Sequence, residues 1–359
     1  MIAIQLSRLE IALNHVLSSK KSFLTMPFLT ALLSMISIGT SASSIPLQQA
    51  ITAFNDGYYQ QAKVILDDEL SLTPNSERVN HYLGRTAYLQ AELDKAETYF
   101  KTAIKLNDQL SDNFYWLAVT YAAQFKDVGF FSASSLADRF LEAAKQAVKL
   151  APDSLLAHEG LLKFYIGAPG IIGGSINKAK KRAKIIANLN TAAGHFALGR
   201  IHFYEGDFQL AEVQIRKALA IEPNRMRYVF GLGYLLREMD RHSEAVDVFL
   251  KVSQLQAIDP FDRIDLWRAK YETGRASSLS GEKLELGRQA LVSYKKRNVS
   301  SSNLDGDDWA QARLVSIYQH QGKNKQAKEL LSKLLAADPD SKLKKLLKKQ
   351  LKQQSDNSI

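Results

Sequence analysis

The chain has 359 residues, 46% hydrophobic and 23% charged, with 47 Lys+Arg against 37 Asp+Glu and a formal net charge of +10. That length exceeds what one hydrophobic core usually fills, so it calls for several domains or one extended array of repeats. The absence of cysteine excludes disulfides, thiolate catalysis, cysteine-ligated metals and lipidation of a cysteine at an export site, while few prolines and much Ala, Leu, Lys and Gln favour helix.

At the N-terminus Lys20 and Lys21 precede an apolar stretch from Phe23 to Ile38, followed by the small residues Gly39 to Ser44. A basic region, an apolar region and a small-residue site in that order read as an export signal, with cleavage near Ala42 leaving Ser43 or Ser44 first. The alternative is an uncleaved anchor, but the stretch falls short of the roughly 20 apolar residues that span a bilayer. Starting translation at Met26 would discard Lys20 and Lys21, which supply the positive charge. Residues 1–43 are therefore expected to be an export segment, and the protein periplasmic or envelope-associated. That address argues against a nucleic-acid partner, although a net positive charge favours anionic partners in general.

From Ser43 a pattern recurs. Leu198-Gly199 is followed by Gly206, Ala211, Ala218 and Pro223; Leu83-Gly84 by Ala91, Ala96, Phe100 and Ala103; Leu314 by Tyr318, Gly322, Ala327, Leu331, Leu334 and Pro339. This resembles the tetratricopeptide repeat, a pair of antiparallel helices with a period of roughly 34 residues. The small residue of each pair (Gly84, Ala118, Gly199, Gly233, Gly274) lets the second helix pack closely on the first. Gly57, Gly206, Gly281 and Gly322 fall where a left-handed residue ends the first helix, and Pro74, Pro152, Pro223 and Pro339 stop the second. About eight units start near Ser43, Glu77, Ser111, Leu155, Ala192, Met226, Trp267 and Asp308. The third and fourth carry insertions around Phe125 to Ser135 and Gly167 to Ser175; in the seventh, Leu286 stands where Ala is usual. The resemblance implies an all-α fold, a right-handed superhelical solenoid of tandem helix-turn-helix repeats over residues 44–341. Each unit leaves an apolar face uncovered, so stacking is obligatory.

No catalytic, cofactor or metal motif stands out. Gly167 to Ser175 invites a phosphate-loop reading but lacks the lysine and spacing of a Walker loop, so a widened inter-helix turn is expected. His195 and His202 share a helix face without a third ligand. Asp305, Asp307 and Asp308 suit capping of a helix near Trp309 better than a calcium loop, since no bidentate glutamate follows. A non-enzymatic role follows, with no cofactor.

In the resembling fold the first helix of each unit lines a concave surface. Two places after the Leu of the Leu-Gly pair stand Arg85, Lys163, Arg200 and Arg275; five places before it stand Arg78, Arg227 and Arg268. Aromatic residues fall beside them: Tyr82, Tyr88, Phe203, Tyr204, Tyr234 and Tyr271, with Tyr115 and Trp116. Arginine with tyrosine is the composition of binding hot spots, which points to a groove for a protein or peptide segment of acidic character. The competing reading is that these arginines form inter-repeat salt bridges with neighbours such as Glu205, Glu238 and Glu272 and the aromatics are partly core. Arginine replaces the asparagine of the family's carboxylate clamp, so that specificity is not carried over. In the tail, residues 342–359, Leu343, Leu346, Leu347 and Leu351 recur at helical spacing among lysines, and Gln350 is assigned to the polar side. A capping helix is expected there, the alternative being peripheral contact of a basic helix with anionic lipid or polymer.

Overall fold

The computed structural model describes residues 44–125, 129–258, 260–297 and 304–356, so the export segment read at residues 1–43 lies outside the described residues. Everything below concerns the array beginning at Ile45. Among the described residues there are seventeen α-helices and no strand. They run α1 (Ile45–Asn55), α2 (Tyr59–Leu72), α3 (Glu77–Leu89), α4 (Leu93–Leu106), α5 (Ser111–Gln124), α6 (Phe130–Leu150), α7 (Leu155–Gly167), α8 (Ile176–Leu189) and α9 (Thr191–Glu205). After them come α10 (Phe208–Ile221), α11 (Met226–Glu238), α12 (His242–Val252), α13 (Pro260–Ser280), α14 (Leu284–Tyr294), α15 (Asp307–His320), α16 (Asn324–Ala336) and α17 (Ser341–Asp356). They form eight helical hairpins and a final single helix, an α-solenoid.

The two helices of a hairpin bury different amounts of surface. Second helices bury a narrow stripe at i, i+4, i+7: Ala96, Phe100, Ala103 in α4; Ala211, Ile215, Ala218 in α10; Ala327, Leu331, Leu334 in α16. First helices are covered on two sides, so α3 buries Val79, His81, Leu83, Ala87 and Leu89 together. A helix apolar around most of its circumference must be an inner layer, and the first helices of successive hairpins do contact one another. Within each hairpin a glycine sets the approach: a Cβ on Gly84 would stand 2.7 Å from the Phe100 ring, and one on Gly233 2.8 Å from Phe249.

Gly57, Gly206, Gly281 and Gly322 all adopt positive φ at the hairpin turns. Ala91 and Asp240 take the same left-handed conformation in the second and sixth hairpins, where the sequence offers no glycine. Three readings of the repeat change. The seventh hairpin starts at Pro260, seven residues before Trp267, because α13 runs 21 residues against 13 in α3, α7 and α11. Its turn holds one extra residue, with Lys283 left-handed as well, so Gly287 rather than Leu286 faces α13; a Cβ there would stand 2.4 Å from Ser277. The insertion near Phe125 contributes to a 21-residue α6.

The last helix covers the end of the array. Leu343 and Leu347 are buried against Ala312, Val315 and Leu331. Gln350 is buried too, correcting its assignment to the polar side: its Nε2 donates to Ala312 O and to Ser316 Oγ, both at 2.7 Å. Leu351 is 49% exposed. Asp340 caps the helix, accepting from the amides of Lys342 at 2.8 Å and Leu343 at 3.0 Å.

Gly84→Ala and Gly233→Ala each force an aromatic ring off its seat; a loss of about 1–3 kcal/mol is expected, checked by urea denaturation of the full chain.

Candidate functional site: the inner face of the first helices

The layer of first helices curves inward far enough for distant hairpins to touch across it. The Trp116 ring of α5 stacks on Phe261 of α13, centroids 5.0 Å apart and planes at 10°, although these helices belong to the third and seventh hairpins. Arg263 reaches Asp56 beside the first hairpin's turn at 3.8 Å. Arg227 of α11 forms an ion pair with Glu159 of α7, two hairpins away. The arginine and aromatic positions read from the sequence fall into three regions of this face.

In the first region Arg85 is held by aromatic rings. Its guanidinium carbon lies 4.6 Å from the centre of Phe54, 5.0 Å from Tyr82 and 5.0 Å from Trp116. Burial pulls its pKa below the ordinary arginine value, opposed by Tyr82 and Asp112, and its Nε has no hydrogen-bond partner among the described residues. Cation–π attraction in a desolvated cage replaces an ion pair here. Tyr88 is buried, edge-on to Trp116 at 5.6 Å and to Phe261 at 6.4 Å. Arg78 is exposed at the outer end of α3.

In the middle region Arg200 of α9 is half-buried. Burial lowers its pKa, Glu159 and Tyr204 oppose that, and Arg227 adds to it. Among the described residues its guanidinium donates no hydrogen bond and forms no ion pair; Glu159, the nearest acid by its influence, is engaged by Arg227. Tyr204 beside it is 55% exposed, and Lys163 is exposed on α7. Phe203 packs inward among Tyr204, Phe208 and Tyr234, with centroid distances of 5.5–5.8 Å.

The third region is internally neutralised. Arg268 pairs with Asp265 at 2.6 Å and lies over Phe230 at 4.3 Å. Arg275 stands 3.5 Å from Glu272, and Tyr271 is a core residue against Tyr294. The most buried ion pair here was not singled out in the sequence: Arg237, 5% exposed, lies 2.9 Å from Glu272 and 2.8 Å from Glu238, with its guanidinium over Tyr234 at 4.6 Å. An ion pair between repeats is found for Arg227, through Glu159, whereas Arg268 and Arg275 pair within their own helix with Asp265 and Glu272, and Glu205 pairs with Lys180 at 2.6 Å.

The sites read as chemically silent have structural work. The glycine-rich turn of the fourth hairpin closes on itself: Ile172, Gly173 and Gly174 donate to Pro169, Gly170 and Pro169 carbonyls, and Ser175 donates to Tyr165 O at 2.8 Å. A Cβ on Gly174 would lie 1.7 Å from Ala168 O. The amides of residues 172–175 are thereby committed within the turn. His195 binds Gln214 Oε1 at 2.8 Å, and His202 stands with Glu205 and Asp207, ligand atoms within 4.8 Å of one another, on the exposed turn where Lys180 already holds Glu205. Asp307 and Asp308 sit in the first turn of α15, whose N-cap is Gly306, so they complement the helix dipole rather than cap; Asp307 also pairs with Arg297.

Comparison with known proteins agrees with this geometry. Residues 192–225 and 310–341 match the tetratricopeptide repeat. The chain thus carries tetratricopeptide repeats within its α-solenoid. Yeast Tom70 superposes with a TM-score of 0.57 at 12% identity, over 89% of this chain and 65% of that one. A tetratricopeptide repeat protein from Parabacteroides merdae gives 0.50 at 12% identity, over 76% of this chain and 97% of that one. Both likenesses are of fold. A stretch of 151 residues is 28% identical to cellulose synthase operon protein C of Xanthomonas axonopodis pv. citri, 42% of this chain and only 10% of that protein's length. No helix among the described residues is long and apolar enough to cross a membrane.

One titration follows from the inner layer. His81 donates from Nδ1 to Asn113 Oδ1 at 2.6 Å, and burial, with Arg85 nearby, pushes its pKa down to about 4 from 6.5. A depressed folded pKa means that the unfolded chain binds the proton first, so this contribution is complete above pH 6.5 and is lost as pH falls toward 4. The loss amounts to roughly 3 kcal/mol by pH 4. Urea denaturation of the wild type and His81→Phe across that range should show a steeper decline in the wild type, and parallel curves would rule it out.

Proposed function

We propose that this chain is a non-catalytic scaffold of the bacterial envelope that binds a partner protein on the inner face of its first helices, in the middle region around Arg200. Tetratricopeptide repeats mediate protein–protein interaction, and the observation that carries the reading is Arg200 itself. A half-buried guanidinium that has lost part of its hydration and has no ion pair among the described residues gains from a matching charge. A partner's carboxylate, from an Asp or Glu side chain or a chain terminus, supplies the missing charge and accepts two parallel hydrogen bonds. Tyr204 and Lys163 flank the place with an exposed ring and a second cation. The envelope location rests on the Lys20-Lys21 and Phe23–Ile38 pattern and agrees with the partial match to a cellulose synthase operon protein. The lipid-anchor alternative for the C-terminal helix is weakened because Leu343 and Leu347 are spent on the last hairpin.

Panning a randomised peptide library against the full chain and its Arg200→Gln variant tests this. Wild type should enrich peptides with a fixed acidic residue or a required free C-terminus, and the variant should bind those peptides about thirtyfold or more weakly, from ~2 kcal/mol for a desolvated charge pair. Equal acidic enrichment by both chains would contradict it.

A further inference from the structure

The first seven residues of α13, Pro260 to Leu266, precede the point at which the repeat register places the seventh hairpin. They cross the inner face to the first three hairpins. Phe261 lies flat on Trp116 and edge-on to Tyr88. Ile264, 3% exposed, belongs to the same buried cluster as Phe54, Tyr59, Tyr88 and Trp116. Arg263 packs its Cδ 3.4 Å from where a Cβ on Gly57 would stand and faces Asp56 at 3.8 Å. None of these contacts serves the hairpin that α13 makes with α14.

We propose that the recess of Phe54, Tyr82, Tyr88 and Trp116, with Arg85 among them, is a peptide-binding site filled in cis by the start of α13. Its ligand in trans is a helical segment of a partner protein with an aromatic residue three places before an aliphatic one. The occupant defines that chemistry. The flat face of Trp116 takes a ring, the buried cluster that includes Phe54 and Tyr59 takes the branched side chain one turn later, and Asp56 favours a cation between them. A tethered segment competes at an effective concentration on the order of millimolar, so a free ligand binds with its affinity reduced by the fraction of chains whose recess is open. The inner face then has two sites: this one, self-covered and aromatic, and the Arg200 site, open and acid-seeking.

The test uses the full chain and a labelled peptide of residues 256–268 followed by fluorescence anisotropy. Phe261→Ala/Ile264→Ala empties the recess and should bind the peptide at least tenfold more tightly than the wild type. Adding Trp116→Ala should abolish that binding, and Arg200→Gln should leave it unchanged, which separates this site from the acid-seeking one. Because the chain has no native cysteine, Asp56→Cys/Arg263→Cys tied by a short bismaleimide fixes the segment in place. The tied chain should bind no peptide, while the untied one binds it weakly at up to about 1 mM. Equal binding by wild type and Phe261→Ala/Ile264→Ala, equal binding by tied and untied chains, or no binding by the untied chain would each overturn the proposal. Should the Phe261→Ala/Ile264→Ala chain lose its helical circular dichroism, the tied and untied pair decides alone.

Discussion

A pair of helices joined by a short turn cannot cover its own apolar surface. The second helix of each unit here buries one stripe, and the first helix needs cover from its own partner and from the neighbouring unit. Everything else follows from meeting that need repeatedly. The glycines at Gly84 and Gly233 let Phe100 and Phe249 close against the first helix, and the ring of Phe100 then stacks on Trp116 of the next unit at 6.2 Å. One residue serves both contacts, so within-unit and between-unit packing are coupled. Stability in such an array is the sum of units and their interfaces, and the end requires a dedicated cover, which Leu343, Leu347 and Gln350 provide.

Curvature of the inner layer converts packing into recognition. Residues at one register position, two places after the Leu of the pair, meet different surroundings as the array bends. Arg85 is caged by three rings, Arg200 is half-buried with no ion pair among the described residues, and Arg275 faces Glu272. Exposed ion pairs contribute little and buried ones must offset their desolvation, so the neutralised third region is best understood as structural. Arg200 differs because its nearest acid, Glu159, is already held by Arg227. A stacked aromatic pair such as Trp116 and Phe261 adds about 0.5–1.5 kcal/mol beyond the area it buries, enough to bias the face toward the closed arrangement without making it permanent.

Much of this was legible in the sequence. The Leu-Gly pairs, positive-φ glycines and hairpin-ending prolines carry local geometry, and local geometry repeats; the starts of seven units fall within two residues of their helices. The seventh was misplaced because its extra turns obey a tertiary demand, contact with Trp116, that no periodicity encodes. The Leu286 reading failed for a local reason: a second left-handed residue, Lys283, lengthens the turn by one. The ladder of cations was visible, but partnership was not, since Glu159 and Arg227 are 68 residues apart. Tyr88 and Tyr271 read as groove residues by composition because aromatic rings suit a core and a binding face equally well. Gln350 shows the same limit, a polar residue buried with two hydrogen bonds to α15.

Native-state hydrogen exchange with mass-spectrometric readout addresses the claim on which the inner face depends, that the start of α13 is seated against α3 and α5. Amides of residues 264–266, the first in α13 with intrahelical acceptors, are predicted to be protected well beyond the neighbouring turn at residues 253–257 and to open with a lower free energy than those of α3 and α5, as a locally displaceable segment does. Exchange of residues 264–266 as fast as that of the turn would contradict it.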